Sequence, residues 1–211
     1  MIAILDYGLS NLLSVQRAVE LFRKDVKIVN TPEELLQAEK IVLPGVGAFE
    51  DGMNGLRKHG LDIALHQAVQ KGTPIMGICL GMQMLFEESD ENGVHTGLGL
   101  IKGRVEKIPN QTVEGKKQCV PHIGWNHLYT EKEEKQWNQG ILKGLEIGTE
   151  TYFVHSYEGK PEKKEDLLAF TTYGGRKICA AVQHENVIGL QFHPEKSGKL
   201  GLKIIENFCN A

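Results

Sequence analysis

Short apolar runs alternate with amphipathic segments along the first half of the chain. Four of these runs predict strands, near Ile2–Leu5, Val26–Val29, Ile41–Leu43 and Pro74–Ile78. Each run has the length of a strand, and segments with helical spacing lie between them. This alternation is typical of βα units on a mostly parallel sheet.

The first amphipathic segment predicts a helix that ends near Phe22. Ser10 is its candidate N-cap, because a hydroxyl can accept a hydrogen bond from a free backbone N–H in the first turn. Leu13, Ala18, Leu21 and Phe22 are expected to form its buried face.

Three further helices are expected. Thr31-Pro32-Glu33-Glu34 starts one of them, since a cap residue, a proline and two acidic side chains suit the free N–H groups of a first turn. A longer helix is predicted over Leu61–Lys71, and a last one from about Gly198 to Cys209.

From about Leu98 the pattern changes to short strand-like runs separated by glycines and charged turns. The predicted strands of this half are Trp125–Tyr129, Tyr152–His155, Leu167–Thr172, Ile178–Val182 and Val187–Phe192. The charged stretches Glu131–Lys135 and Glu158–Asp166 are interpreted as solvated loops. The whole pattern predicts a three-layer α/β domain with a central, mostly parallel sheet and antiparallel strands in the second half.

Composition and charge exclude several function classes. The 211 residues include 24 basic and 27 acidic ones, and the net charge of −3 offers no general attraction to nucleic acid or anionic lipid. The four cysteines form no Cys-x-x-Cys pair, which argues against zinc ribbons, redox motifs and disulfide frameworks.

No segment approaches the ~20 apolar residues of a membrane span, and no export leader is indicated. We expect a cytoplasmic protein with one domain over residues 1–211 and neither a nucleic-acid nor a membrane partner.

The most informative segment is a buried strand that leads into a helix, with Cys79 at the junction. Gly77 and Gly81 stand two positions to either side, as in the Gly-x-Ser-x-Gly nucleophile elbow with sulfur in place of oxygen. Such glycines permit a sharp turn and close packing, and the positive end of a helix favours thiolate over thiol. Cys79 is therefore a candidate nucleophile, although an isolated cysteine in an apolar run is more often a small buried hydrophobe.

A histidine and a carboxylate follow the last predicted strand. Pro194 biases His193 toward an extended conformation, in which side chains two positions apart project to the same side. A histidine beside the thiol can take its proton and later protonate the leaving amine, while a carboxylate orients the ring. We predict that His193 is the base and Glu195 its orienting residue.

A glycine-rich loop, Pro44-Gly45-Val46-Gly47, follows the strand Ile41–Leu43. Loops at the carboxyl ends of parallel strands face the usual ligand crevice. Backbone N–H groups of Gly45, Val46 and Gly47 could turn toward a developing negative oxygen, so this loop is a candidate oxyanion hole. A turn that serves only the chain path is the alternative.

These three segments, in this order, resemble the motifs of the class I (triad) glutamine amidotransferases. A finer resemblance, to the glutaminase subunits of imidazole glycerol phosphate synthases, spans essentially the whole chain. It is carried by Asp6–Asn11, Pro121–Asn126, Tyr152–Tyr157 and His193–Gly198. The resemblance implies hydrolysis of L-glutamine through a γ-glutamyl thioester at Cys79, with no metal or organic cofactor.

The resemblance also implies a partner and further site residues. The partner is a (β/α)₈ cyclase, bound as a heterodimer, that uses the ammonia to make imidazole glycerol phosphate and aminoimidazole carboxamide ribotide in histidine biosynthesis. Gly47 and Gln83 match positions that hold glutamine, with Ser156 and Tyr157 near its α-amino and carboxylate groups. The residues that match positions facing the cyclase are Asn11, Arg17, Trp125, Tyr152 and Lys196.

For the last group the residues alone leave other interpretations open: Trp125 could be a core aromatic, and Arg17 and Lys196 could be ordinary surface residues. Two departures from the family stand outside the proposed chemistry, Ser10 in place of a common glycine and the charged insertion Glu131–Lys135.

Other functions remain open at this stage. A glutaminase of the same kind could serve a different acceptor synthase, such as one that modifies a sugar. A scaffolding subunit would not need the triad, and a free-standing cysteine peptidase or esterase would act without a partner. For the glutaminase we expect an oxyanion loop that depends on the partner, with the Val46 N–H turned away from the site in the lone subunit.

Overall fold

The computed structural model describes residues 1–9, 11–131 and 135–211. The strands, in chain order, are β1 (Ile2–Leu5), β2 (Val26–Val29), β3 (Lys40–Gly45), β4 (Ile75–Cys79), β5 (Phe86–Ser89), β6 (His95–Thr96), β7 (Ile101–Lys107), β8 (His122–His127), β9 (Glu150–His155), β10 (Tyr157–Pro161), β11 (Leu167–Tyr173), β12 (Arg176–His184) and β13 (Val187–Leu190). The α-helices are α1 (Leu12–Glu20), α2 (Pro32–Leu35), α3 (Phe49–Lys58), α4 (Leu61–Gln70), α5 (Leu80–Met84) and α6 (Gly198–Asn210).

A seven-stranded sheet forms the centre, in the order β11-β12-β13-β4-β3-β1-β2. The five strands from β13 to β2 run parallel, and β12 and β11 continue the sheet antiparallel. β1 shows why both faces are covered: Ala3 and Leu5 enter one apolar core, whereas Ile2 and Ile4 enter the other. The predicted three-layer α/β fold is thereby confirmed.

Helices cover the two faces of this sheet. The core that contains Leu5 also takes buried side chains of α2, α3 and α4, such as Leu35, Met53 and Leu65. The core that contains Ile4 takes side chains of α1 and α6, such as Val15. The Thr31 cap is confirmed, because its hydroxyl accepts a hydrogen bond from the Glu34 N–H at 3.4 Å.

The predicted face of the first helix was wrong in part. α1 buries Val15, Ala18 and Val19, whereas Leu13 and Leu21 are 56% and 63% exposed. An exposed leucine violates no physical rule, because much of any protein surface is apolar, and hydrophobicity alone could not choose between neighbouring stripes. The predicted cap Ser10 lies outside the described residues.

A smaller four-stranded sheet, in the order β10-β7-β5-β6, and a separate antiparallel pair, β8–β9, complete the second half. The interpretation of Glu158–Asp166 as a solvated loop was wrong in part: residues 162–165 are exposed outside the strands, but both ends of the stretch are buried. Its first residues belong to β10, with Glu158 only 2% exposed and paired with Lys160 at 2.7 Å. Asp166 is 4% exposed and contacts His184 at 3.0 Å. Buried carboxylates with cationic or hydrogen-bonding partners look like surface charge in a sequence.

The interpretation of Glu131–Lys135 as a solvated loop can be compared with the structure only at its two ends, because residues 132–134 lie outside the described residues. Within the described residues, no helix is long and apolar enough to cross a membrane.

Candidate active site

The cysteine at the end of β4 stands on a sharp strand-to-helix turn. Cys79 has φ 55° and ψ −110°, and α5 starts at the next residue. A positive φ in a residue other than glycine is a strained conformation of the kind found at functional sites. Gly81 makes this turn possible, since a Cβ there would collide with the Leu43 carbonyl oxygen, and a Cβ on Gly77 would press on the Gly81 backbone.

The histidine and its carboxylate reach the same place from the end of β13. His193 keeps an extended backbone, and Pro194 starts a 3₁₀ turn that carries Glu195. The His193 Nδ1 lies 2.8 Å from the Glu195 Oε1, and the two side chains are only 2% and 1% exposed. The carboxylate therefore holds the ring with its Nδ1 protonated and leaves Nε2 for chemistry.

The electrostatics of His193 depend on both neighbours. Burial of the ring opposes its protonation, but the Glu195 carboxylate and the nearby Cys79 sulfur outweigh burial and raise the pKa of His193 to about 9. Its Nε2 is buried and makes no hydrogen bond of ordinary geometry to any described residue. A raised pKa favours the imidazolium form, which must later protonate the leaving amine.

A cavity of about 320 Å³ opens over the sulfur. Its walls come from distant parts of the chain: Val46, Gly47, Cys79, Leu80, Gln83, Glu91, Pro121, Val154, His155, Ser156, Tyr157 and His193. The structure therefore brings all four predicted glutamine-binding residues into one cavity with the candidate nucleophile Cys79 and the candidate base His193. A larger groove, of about 880 Å³, shares Ser156 and Tyr157 but contains no triad residue, so we place the chemistry in the smaller cavity.

Gln83 is 6% exposed, and its amide nitrogen is already occupied. Nε2 donates to the Tyr157 carbonyl oxygen and to Gln191 Oε1, both at 3.1 Å. Because a carbonyl oxygen only accepts, this assignment of the Gln83 amide is settled by its partner. Gln191 then turns its own Nε2 toward the Cys79 sulfur at 3.7 Å. Oε1 of Gln83 is the atom left to receive a donor from a ligand.

One predicted oxyanion donor of the glycine loop, the Val46 N–H, is bound elsewhere in this state. Gly45 ends β3 opposite Cys79, and the Val46 N–H donates to the Leu9 carbonyl oxygen at 3.2 Å. Gly47 has φ 112°, a conformation that suits glycine and allows the adjoining peptide to change direction at low cost. The Val46 donor is thus held by the segment before α1.

Leu80 and Glu91 are among the cavity residues that reasoning from the sequence missed. Leu80 follows the nucleophile, the position whose N–H supplies one oxyanion donor in nucleophile elbows, and this signal was available in the motif. Glu91 gave no such signal, because it lies in a loop after β5 that no motif marks. Its Oε2 accepts from the Phe49 N–H at 2.7 Å, at the start of α3, and it brings a carboxylate to the cavity.

The five residues predicted to face a partner lie on elements that meet near the turn Pro194–Lys196. Trp125 and Tyr152 are opposite partners in the pair β8–β9, with ring centroids 6.1 Å apart. The Tyr152 backbone bonds to His193 and Ser197, and α1, which carries Arg17, packs against the same turn. Asn11 stands at the start of α1, and Lys196 ends the turn.

Exposure distinguishes between the interpretations of these residues. Trp125 is 55% exposed, so it is not a core aromatic. Ile123, on the same face of β8, and Leu13 on α1 are 59% and 56% exposed. Neighbouring large apolar side chains in solvent, such as Ile123 and Trp125, are typical of a surface that contacts another protein.

Known proteins similar to this chain match it over nearly its full length. The family model of class-I glutamine amidotransferases matches residues 3–211. Imidazole glycerol phosphate synthase subunit HisH 1 of Legionella pneumophila (strain Lens) is 48% identical over 207 residues, 98% of this chain and 97% of that protein. Subunit HisH of Geobacillus sp. (strain WCH70) is 46% identical over 210 residues, 100% and 96% of the two chains.

Solved structures support the fold independently. A crystal structure of a glutamine amidotransferase has a TM-score of 0.73 at 18% identity and covers 100% of this chain and 99% of its own. The structure of PurLQS from Thermotoga maritima gives 0.72 at 22% identity, with 99% and 97% covered. At such low identity the likeness concerns the fold alone.

Proposed function

This chain belongs to the class I glutamine amidotransferase family, and from that premise we propose that it is the glutaminase subunit of an imidazole glycerol phosphate synthase. One observation carries the proposal: Cys79, on a strained elbow, shares a closed-in cavity with a His193 held by Glu195. On this proposal residues 1–211 act as one domain in the cytoplasm. They hydrolyse L-glutamine and hand ammonia to a (β/α)₈ cyclase in a heterodimer, which makes imidazole glycerol phosphate and aminoimidazole carboxamide ribotide for histidine biosynthesis.

The first half of the reaction forms a thioester. The Cys79 sulfur, whose proton passes to His193 Nε2, attacks the γ-carbonyl carbon of glutamine, and the carbonyl oxygen becomes negative. His193 then gives its proton to the amide nitrogen as the C–N bond breaks and ammonia leaves. Glu195 stabilises the imidazolium through this cycle without taking the proton itself.

The second half restores the enzyme. Water takes the place of ammonia, His193 accepts one of its protons, and the resulting hydroxide attacks the thioester carbon. As the C–S bond breaks, His193 returns its proton to the sulfur, and glutamate leaves after its new carboxyl group loses a proton to solvent. Cys79 is therefore the nucleophile of the first half and the leaving group of the second, and His193 acts as base and then as acid in each half.

The cavity walls suggest how glutamine is oriented. Glu91 supplies the negative charge that an α-ammonium group requires, and Gln83 Oε1, in the same cavity lining, is available as a second acceptor. Backbone N–H groups of Gly47, Ser156 and Tyr157 are suitable donors for the α-carboxylate. Recognition of both charged ends places the γ-amide over the sulfur.

The oxyanion loop supports partner control. Leu80 supplies one donor by its position, but the Val46 N–H is bound to the Leu9 carbonyl oxygen and must be released before it can serve as the second. Leu9 precedes α1, the helix that carries the proposed contact residues Asn11 and Arg17. We propose that binding of the cyclase at α1 favours the loop state in which Val46 faces the cavity, since only a difference in contacts between the two states can shift their balance.

The test is glutamate release from glutamine by the purified chain, with and without its cognate cyclase and an analogue of the ribotide. We expect slow turnover alone and at least a ~10²-fold rise with both, the cost of one missing oxyanion donor. Full-rate turnover without a partner would contradict the loop mechanism. If the cyclase leaves turnover unchanged and another acceptor synthase stimulates it, the subunit belongs to a pathway other than histidine biosynthesis.

Glu91→Gln should raise the KM for glutamine about tenfold, with kcat within about twofold of wild type, because the side chain binds the α-ammonium equally in the ground and transition states. Glutamine can still accept from the Phe49 N–H, so the start of α3 is retained. The matched control is Asp90→Asn, which removes a neighbouring charge outside the cavity lining and should leave KM near its wild-type value. Equal KM changes in the two variants would contradict a specific contact at Glu91.

A further inference from the structure

Two buried histidines lie beside the proposed glutamine cavity and take no part in the reaction described above. His122 starts β8 and His155 ends β9, where they are opposite partners in the strand pair. They are 3% and 5% exposed, and His122 Nδ1 lies 3.0 Å from His155 Nε2. Burial lowers the pKa of His122 to about 4 and that of His155 to about 3, so both rings are neutral near neutral pH.

The protons of this pair can be placed from either end. At one end Asn126 Nδ2 donates to the Thr172 carbonyl oxygen at 2.9 Å, and its second N–H therefore points at His122 Nε2, 3.2 Å away. His122 Nε2 must then accept, and its Nδ1 must donate to His155 Nε2. At the other end His155 Nδ1 lies 2.8 Å from the Tyr157 carbonyl oxygen, which can only accept. Both ends give the same answer: each neutral ring carries its proton on Nδ1.

The Tyr157 carbonyl oxygen links the histidine pair to the wall of the cavity. The Tyr157 carbonyl oxygen receives His155 Nδ1–H and, from the opposite side, Gln83 Nε2–H at 3.1 Å. Gln83 also donates to Gln191, and Gln191 in turn donates to the Cys79 sulfur. A change at His122 therefore reaches the Gln83 side chain through three hydrogen bonds, although His122 itself does not line the cavity.

We propose that His122 is a positioning residue for glutamine: it fixes His155 as the donor to the Tyr157 carbonyl and thereby holds Tyr157 and Gln83 in the orientation that binds the substrate. This inference rests on the proposed function. Without the His122 donor, His155 Nε2 is a buried acceptor with no partner, and a proton that moves to Nε2 leaves a lone pair facing the Tyr157 carbonyl oxygen.

Two substitutions separate the hydrogen bond from the packing. In His122→Phe the ring is retained between Phe153 and Tyr173, whose centroids lie 5.0 and 4.2 Å from that of His122, but the donor is lost. In His122→Asn the ring is lost, while the side-chain amide can donate from the place of Nδ1. With the full chain bound to the cyclase, we expect His122→Phe to raise the KM for glutamine about tenfold with kcat within about twofold, the effect of one buried hydrogen bond.

We expect His122→Asn to retain a KM within about twofold of wild type even where its melting temperature is the lower of the two. A merely structural role predicts the reverse, with the larger kinetic defect in the less stable variant, and that result overturns the proposal. An unchanged KM in a folded His122→Phe overturns it as well.

Long-range ¹H–¹⁵N correlation spectra of the lone chain provide a readout that needs no turnover. They should show the Nδ1–H tautomer for both histidines in the wild type, and a changed His155 tautomer in His122→Phe. A proton on Nε2 of either wild-type ring overturns the ordered pair. Failure of the wild-type complex to release glutamate, with these tautomers in place, counts instead against the proposed function.

Discussion

Cys79→Ala should lower glutamate release from glutamine by roughly 10⁴- to 10⁶-fold while the chain stays folded. The sulfur is the atom that forms the covalent bond, so no neighbour can replace it, and what remains is catalysis by binding and by oxyanion donors. The measurement is kcat for glutamine in the complex with the cyclase, where the wild-type rate is highest.

Cys179→Ala is the matched control for this variant. Cys179 is another buried cysteine, 6% exposed on β12 and away from the cavity, and burial raises the pKa of its thiol. The same substitution there should leave kcat near wild type. Loss of activity in both variants, or retained activity in Cys79→Ala, would show that the reaction does not pass through a thioester at Cys79.

Glu195→Gln should lower kcat by roughly 10²- to 10⁴-fold with a smaller change in KM. The substitution removes the charge that stabilises the His193 imidazolium and releases the ring from its single orientation. The pKa of His193 should fall from about 9, which NMR titration of the ring can follow. The neutral amide fits the same space, so the effect reports charge and orientation.

A pH-dependent stability difference should accompany that loss. A histidine whose pKa is raised on folding stabilises the protein fully below about pH 6.5, its ordinary value, and this contribution disappears as the pH rises through about 9. Wild type should therefore lose stability relative to Glu195→Gln across that window.

Glu150→Gln provides the comparison, because Glu150 contacts His127 at 3.6 Å in an exposed pair outside the cavity. It should leave kcat unchanged and the stability of the chain nearly so. If Glu195→Gln behaves like Glu150→Gln, the carboxylate does not take part in the triad.

Reasoning from the sequence succeeds where the information is contiguous. Cys79 is flanked by its own two glycines, and His193 and Glu195 are two residues apart, so each half of the triad can be found in a short window. The central parallel strands are also visible, since both of their faces are apolar and they form unbroken runs such as Ile75–Ile78.

Reasoning from the sequence fails where a role depends on contacts across the chain. Glu91 follows β5 and lines the cavity, where it also accepts the Phe49 N–H at the start of α3. The His122–His155 contact joins residues on two different strands. β7 was missed because it reads as a charged segment, with only Ile101 and Val105 buried in its pattern. No local pattern marks such positions, since the partner that gives each its meaning lies far away in sequence.

The most direct test of the central claim is rapid quenching of the complex during glutamine turnover, followed by mass analysis of the peptide that contains Cys79. We predict a glutamyl adduct on Cys79 that forms and decays within one turnover and is absent in Cys79→Ala. A glutamyl adduct on any other residue, or glutamate release that persists in Cys79→Ala, would contradict the claim that this cysteine is the nucleophile.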